Sequence, residues 1–256
     1  MLLELDSVSV SFGGISALKN VSFAVPDGGI VSVIGPNGAG KTTLFNVITG
    51  FRRLNRGAVT FEGQAITGLP PYRIARRGLV RTYQKTEVFP ELSVFECVRI
   101  GLLNRLDAGF FEVVLGGRRV EAFVAEAPRL VRDILATVGL ERKATYAARE
   151  LSYGEQRLLE IAVGLAAQPR LLMLDEPASG LNKDEAEKLA DLICALRDRG
   201  ITVLLVEHNM NLVMSISDTI VVLHHGEKIA EDVPEAVSQD PAVVSVYLGR
   251  EWVADA

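Results

Sequence analysis

Two stretches of this chain have the residue types to hold an anion. The first is GPNGAGKT: Gly35, Pro36, Asn37, Gly38, Ala39, Gly40, Lys41 and Thr42, followed by Thr43. Glycines at this spacing let backbone N–H groups converge on phosphate oxygens. Lys41 adds a point charge, and the Thr42 hydroxyl is an oxygen donor suited to Mg²⁺. Taken alone, the glycines would make only a turn. The full pattern, set between the apolar run GIVSVIG and a helical stretch, favours phosphate. The second stretch is LSYGEQRLLEIAVG, from Leu151 to Gly164. Ser152 and Glu155 have the spacing of a capping box, and apolar positions then follow at helical intervals. A helix N-terminus with Gly154 beside it is also a place for an anion.

Five further residues have side chains suited to chemistry. RLLMLDEP is an apolar strand ending in Asp175 and Glu176. Such carboxylates can be turn formers. Beside a phosphate loop, Asp175 reads better as an acid of the Mg²⁺ shell, with Glu176 placed to orient or deprotonate a water attacking the terminal phosphate. His208 closes ITVLLVEH, the next strand in order, and so comes to the same carboxyl edge of the sheet, where ligands bind in open α/β folds. Gln84, in RTYQ, stands just before a helical segment. Phe12, ahead of the phosphate loop, is either a core residue or a face on which adenine stacks, a contact worth about 1–3 kcal/mol per base. His224 and His225, before Gly226, read as surface residues of a hairpin turn.

These residues need a scaffold, and the pattern supplies one. Residues 2–34 alternate apolar and polar between the turn signals FGG and PDGG, which predicts short antiparallel strands; GIVSVIG reads as a buried strand. A helix is expected from about Lys41 to Thr49, and another strand at RGAVTFEG. Residues 93–140 switch to helical periodicity and read as an inserted helical subdomain. From Leu151 onward helix and strand alternate, which implies parallel strands joined by crossover helices. The tail from 231 to 250 reads as helical.

Composition bounds the rest. The 256 residues are 48% hydrophobic and 23% charged, with a formal net charge of −5 and no long basic run, which disfavours nucleic acid as the main ligand. Cys97 and Cys194 form no metal-ligand spacing and read as reduced thiols. Glu4 and Asp6 interrupt the only candidate for an N-terminal signal, and no run of about 18 apolar residues occurs.

In this order, these elements resemble the ATP-binding cassette (ABC) ATPases over almost the whole chain; LSYGE narrows the likeness, because it resembles that family's signature motif. The resemblance implies an α/β fold: a P-loop NTPase core with a mostly parallel sheet, an N-terminal antiparallel β subdomain and an inserted helical subdomain. The single domain would divide into a core of residues 1–84 and 160–230, a helical insert of about 85–159 and a tail of about 231–256. It also implies ATP and Mg²⁺ as cofactors and two cassettes packed head to tail. The phosphate loop of one chain and Ser152, Gly154 and Glu155 of the other would then grip the same γ-phosphate. Phe12 is assigned to adenine, Gln84 to Mg²⁺ and membrane coupling, Asp175 to Mg²⁺, Glu176 and His208 to hydrolysis.

Three positions depart from the family pattern: Tyr153 replaces a glycine, Glu155 a glutamine and Asn182 an aspartate. Within the family, RTYQ, LSYGEQRLLEIA, LDEPASGLN, VEHNMNLVMSISD and VYLG resemble the ATP-binding subunits of branched-chain amino-acid importers. That likeness implies integral permease partners, an indirect substrate-binding protein, no nucleic acid, and a peripheral place on the cytoplasmic face of the inner membrane. The alternatives are the motor of another transporter (for urea, other amino acids or lipopolysaccharide) and a cassette acting on nucleic acid or ribosomes. The face around Gln84, Phe89, Leu92 and Val94 is expected to dock a short helix of a membrane subunit; the alternative is simple core packing.

Overall fold

The computed structural model describes residues 1–82, 89–105 and 117–248. Its first two strands, β1 (Leu3–Phe12) and β2 (Ile15–Val25), form an antiparallel hairpin closed by Gly13 and Gly14, both at positive φ. After β3 (Ile30–Ile34) comes helix α1 (Lys41–Ile48), and β4 (Arg56–Phe61) and β5 (Gln64–Ala65) return to the hairpin. The result is a four-stranded sheet in the order β2-β1-β4-β5. A short helix, α2 (Pro71–Arg76), and a three-residue strand, β6 (Leu79–Arg81), follow; the sequence pattern had suggested neither.

The helical layer holds α3 (Val94–Leu102), α4 (Arg118–Thr137) and α5 (Tyr153–Ala166). Alternation then runs as expected through β7 (Leu171–Asp175), α6 (Lys183–Asp198), β8 (Thr202–Val206), α7 (Met210–Ile216) and β9 (Thr219–His224). β10 (Glu227–Asp232) turns back antiparallel on β9, so the tail becomes helical only at α8 (Pro234–Gln239) and α9 (Pro241–Leu248). The second sheet has the order β10-β9-β3-β8-β7-β6, parallel from β9 to β6. β3 therefore belongs to this sheet and not to the antiparallel one before it.

β3, β7 and β8 are buried along their whole length, which is why they read as unbroken apolar runs. Their side chains alternate between two cores. Leu172, Leu174, Val203 and Leu205 pack with the helical layer. Leu171, Met173, Leu204 and Val206 pack with α1 and the antiparallel sheet. Because α5 keeps a continuous buried face through Leu159, Ile161 and Ala162, the boundary expected at residues 159/160 falls inside a helix. No described helix is long and apolar enough to cross a membrane.

Candidate functional site

The phosphate loop joins β3 to α1, as its motif requires. Gly35, Gly38 and Gly40 sit at φ +151°, +81° and +106°. At two of them space is also decisive: a Cβ on Gly35 would lie 2.1 Å from the Leu223 carbonyl oxygen, and one on Gly40 would lie 2.7 Å from that of Ala17. The loop is thus wedged between β9 and β2. The β9–β10 turn braces it through Gly226 N–H to Ala39 O (3.0 Å) and Lys19 N–H to Gly226 O (2.7 Å). Lys41 is buried; its Nζ donates to Gly35 O at 2.6 Å and Pro36 O at 3.2 Å. Burial lowers the lysine pKa, and the nearby Glu176 and Asp175 offset this only in part. Asn37 and Thr42 are exposed and Thr43 half-buried, so the mouth of the loop opens to solvent.

Asp175 ends β7 and Arg81 ends β6, an adjacent parallel strand. Arg81 Nη2 donates to Asp175 Oδ2 at 2.6 Å, with both side chains nearly out of water. Arg81 Nη1 donates to Asn46 Oδ1 of α1 at 2.7 Å, and the guanidinium lies over the Phe45 ring. Arg81 thereby ties α1, β6 and the Asp175 carboxylate together. Sequence reasoning passed over it, because one arginine in LVRTYQ carries no pattern.

Glu176 occupies the left-handed region at φ +49°, uncommon for a residue with a side chain. Its N–H donates to Val206 O at 2.8 Å, which draws the turn after β7 against β8. His208 Nδ1 stands 4.0 Å from Glu176 Oε2. The carboxyl edge of β7 and β8 thus brings Glu176 and His208 together, as expected. Glu207, which directly precedes His208, is wholly buried, and nothing in its local sequence marks it. Tyr247 of α9, in the VYLG stretch, has its phenol pushed up to about 12 by desolvation, against a hydrogen bond with the Gly35 backbone.

At the second anion stretch the capping box is present. Ser152 Oγ accepts from Glu155 N–H at 3.4 Å, and Glu155 Oε2 accepts from Ser152 N–H at 3.0 Å. Lys143 Nζ lies 2.5 Å from Glu155 Oε1. Burial alone would raise the Glu155 pKa, but the hydrogen bonds from Lys143 and Ser152 prevail and lower it. The departures from the family pattern gain reasons here. The Glu155 carboxylate is turned back and neutralised. The Tyr153 hydroxyl accepts from Arg157 Nη2 at 2.6 Å, and its ring packs against Gly180, where a Cβ would come within 2.9 Å of Cε1. Asn182 caps α6, its Oδ1 accepting from Glu185 N–H at 3.0 Å. Gly154 leaves room for Glu185, whose Oε1 would be 2.8 Å from an added Cβ. Among the described residues, no hydrogen bond or ion pair joins Ser152, Gly154 or Glu155 to the phosphate loop of the same chain.

Phe12 is 36% exposed beside the β1–β2 turn, with the Arg52 guanidinium 4.2 Å above its ring. Gln84 lies outside the described residues. The expected docking face needs a correction. Val94 is 0% exposed and belongs to the helical-layer core, because it is the first residue of α3 and faces inward; Leu92 is half-buried on the same core and Phe89 is 56% exposed. His225 is exposed in the β9–β10 turn as expected, whereas His224 is half-buried at the end of β9.

A parallel sheet with a glycine-rich loop at one strand end and paired carboxylates at the next but one defines a phosphate-loop ATPase. The family model described as ABC transporter matches residues 18–179, and one described as branched-chain amino acid ATP-binding cassette transporter matches residues 227–253. The high-affinity branched-chain amino acid transport ATP-binding proteins BraF of Pseudomonas aeruginosa and LivG of Escherichia coli K12 are each 42% identical over 250 residues, covering 97% of this chain and 98% of theirs. A nucleotide-free ATP-binding cassette from an ABC transporter superposes with a TM-score of 0.84 at 32% identity, over 97% of this chain and 99% of the other. A dimeric bacterial ABC transporter cassette gives 0.76 at 26% identity, over 91% and 99%. The chain belongs to the ABC transporter family and is a nucleotide-binding ATPase of that family.

Proposed function

We propose that this chain is the motor subunit of a branched-chain amino-acid importer, binding and hydrolysing ATP at the cytoplasmic face of the inner membrane and docked there on separate permease subunits. The observation that supports the motor reading is Lys41 buried within the glycine loop, with Asp175, Glu176 and His208 gathered at the neighbouring strand ends. The match at residues 227–253, together with the names of the relatives, supports the substrate. A substrate-binding protein would deliver the amino acid and would not touch this chain.

In this reading the backbone N–H groups from Pro36 to Thr43 and the Lys41 ammonium hold the β- and γ-phosphates, while Phe12 offers a face to adenine once Arg52 moves aside. The donor set suits Mg²⁺: the Thr42 hydroxyl, the Asp175 carboxylate and Gln84 are all hard oxygen ligands. Bound there, Mg²⁺ would neutralise charge on the transferring phosphoryl group. Glu176 orients the attacking water and accepts its proton, and His208 steadies the γ-phosphate from the next strand. Ser152, Gly154 and the α5 N-terminus serve the nucleotide of a second cassette, identical or closely related. Phe89 and Leu92 dock the permease, and the helical layer of α3, α4 and α5 carries that contact towards the core.

The test is uptake. The chain is purified with its membrane subunits and reconstituted in proteoliposomes together with the substrate-binding protein, and labelled leucine, isoleucine, valine, other amino acids and urea are supplied. ATP-dependent uptake of the branched-chain amino acids, lost in Lys41→Ala, is expected. Uptake of urea or another amino acid instead would replace the substrate and leave the motor reading standing. No ATP-dependent uptake of any substrate would contradict both.

A further inference from the structure

Glu207 directly follows β8 and is 0% exposed. Its two oxygens accept three backbone N–H groups from two separate loops. Oε1 accepts from Ala178 at 2.7 Å, in the turn after β7; Oε2 accepts from His208 at 2.9 Å and from Asn209 at 3.1 Å, in the turn after β8. The first loop carries Glu176 at its start and leads into the 178–182 segment; the second carries His208. The His208 ring itself stands between two carboxylates, with Nδ1 3.9 Å from Glu207 Oε2 and 4.0 Å from Glu176 Oε2.

A carboxylate with no exposure is costly unless hydrogen bonds hold it, and an apolar side chain of similar size would fill the space at less cost. The carboxylate does what an apolar group cannot: it fixes two stretches of main chain to a common point, whatever side chains those stretches carry. We infer that Glu207 is a positioning residue, a clamp that keeps the Glu176 turn and His208 in one register, so that a displacement of the 178–182 segment reaches His208 through the Ala178 N–H. This rests on the hydrolytic roles proposed above for Glu176 and His208.

Glutamine distinguishes a clamp from a filler, since it has nearly the same shape. It keeps one acceptor oxygen and turns the other into an N–H₂ donor, which meets an N–H donor of one loop whichever way the amide lies. Steady-state ATP hydrolysis of the full chain, ATP affinity of dilute monomer and thermal unfolding are measured for the parent, Glu207→Gln, His208→Ala and the double variant. Glu207→Gln is expected to lower kcat about tenfold or more, a difference of about 1.4 kcal/mol, with KM and monomer affinity within about twofold of the parent. In the His208→Ala background the same change is expected to cost a clearly smaller factor than in the parent, because the part of its effect that runs through His208 is already gone. Glu207→Asp, which keeps the charge and both acceptors, is expected to retain more kcat than Glu207→Gln, and it carries the same cycle where the glutamine variant does not fold. Equal factors in the two backgrounds, an unchanged kcat, or a KM that worsens in step with kcat overturns the clamp. Full activity of His208→Ala overturns the reading of the site itself, and the clamp with it.

Discussion

Arg81 and Asp175 form an ion pair at 2.6 Å whose side chains are only 6% and 4% exposed. The pair lies across two parallel strands, next to the phosphate loop, and uses a carboxylate also proposed for the Mg²⁺ shell. Breaking a buried pair leaves one charge uncompensated. Arg81→Met is therefore expected to destabilise the chain by roughly 3–5 kcal/mol. Saturating ATP with Mg²⁺ should narrow that gap, since a cation is restored near Asp175. Urea unfolding with and without Mg·ATP measures both effects; an unchanged midpoint would mean the pair is not formed in solution.

Glu176→Gln is expected to keep ATP binding and slow hydrolysis by about 10²-fold or more, the usual range for removing a general base. The positive φ at this position is a property of the turn, so the glutamine inherits the same placement. ATP should then hold two chains together, visible as an earlier gel-filtration peak. Near-normal turnover would remove Glu176 from the chemistry.

The Glu155 carboxyl has its pKa held below the ordinary 4.5 in the folded chain. Its contribution to stability is accordingly present above that value and fades as pH falls through the lower folded-state value. The Lys143 side chain is 36% exposed, so the ion pair is worth only a few tenths of a kcal/mol after screening. Comparing thermal unfolding at pH 7 and pH 4, the parent should lose slightly more stability than Glu155→Gln. The same variant should strengthen ATP-driven dimerisation only slightly, because the charge it removes is already turned towards Lys143. A large gain would show that the capping arrangement opens when nucleotide binds.

Gly154→Ala is expected to push Glu185 away and disturb the cap that Glu185 shares with Asn182. The displaced atom is the end of a side chain, so the cost in stability should be modest, about 1 kcal/mol for a lost cap. ATP-driven dimerisation should fall, since the change lies between the two elements proposed to face the partner. Unchanged dimerisation would show that the α6 N-terminus is indifferent to its neighbour.

Much of this was legible in the sequence, for physical reasons. The phosphate loop and the α5 cap are local: the residues that matter lie within eight positions of one another, and each type is dictated by a backbone geometry. The buried strands β3, β7 and β8 read clearly because both faces are covered. What escaped notice was either short or long-range. β6 has three residues and α2 six, too few for a period to show. Arg81 meets Asp175 across two strands far apart in sequence, Lys143 meets Glu155 from another turn, and Tyr153 meets Gly180. Glu207 looked like an ordinary charge after a strand, because nothing local says that three N–H groups from two loops point at it. Val94, read as part of the docking face with core packing as the alternative, is turned into the core by the start of α3.

The central claim is that the two anion stretches serve different nucleotides, one in its own chain and one in the partner. Ser152→Phe blocks the α5 N-terminus and removes a hydroxyl, whereas Lys41→Ala removes the cation of the phosphate loop. The most direct measurement is ATP affinity of dilute monomer for both variants, set beside ATP-driven dimerisation in the Glu176→Gln background, with thermal unfolding confirming an intact helix. Ser152→Phe is expected to leave monomer affinity nearly unchanged and to abolish dimerisation, while Lys41→Ala weakens binding in the single chain. If Ser152→Phe weakens monomer binding as much as Lys41→Ala does, the signature stretch serves its own chain's nucleotide and the head-to-tail arrangement is wrong.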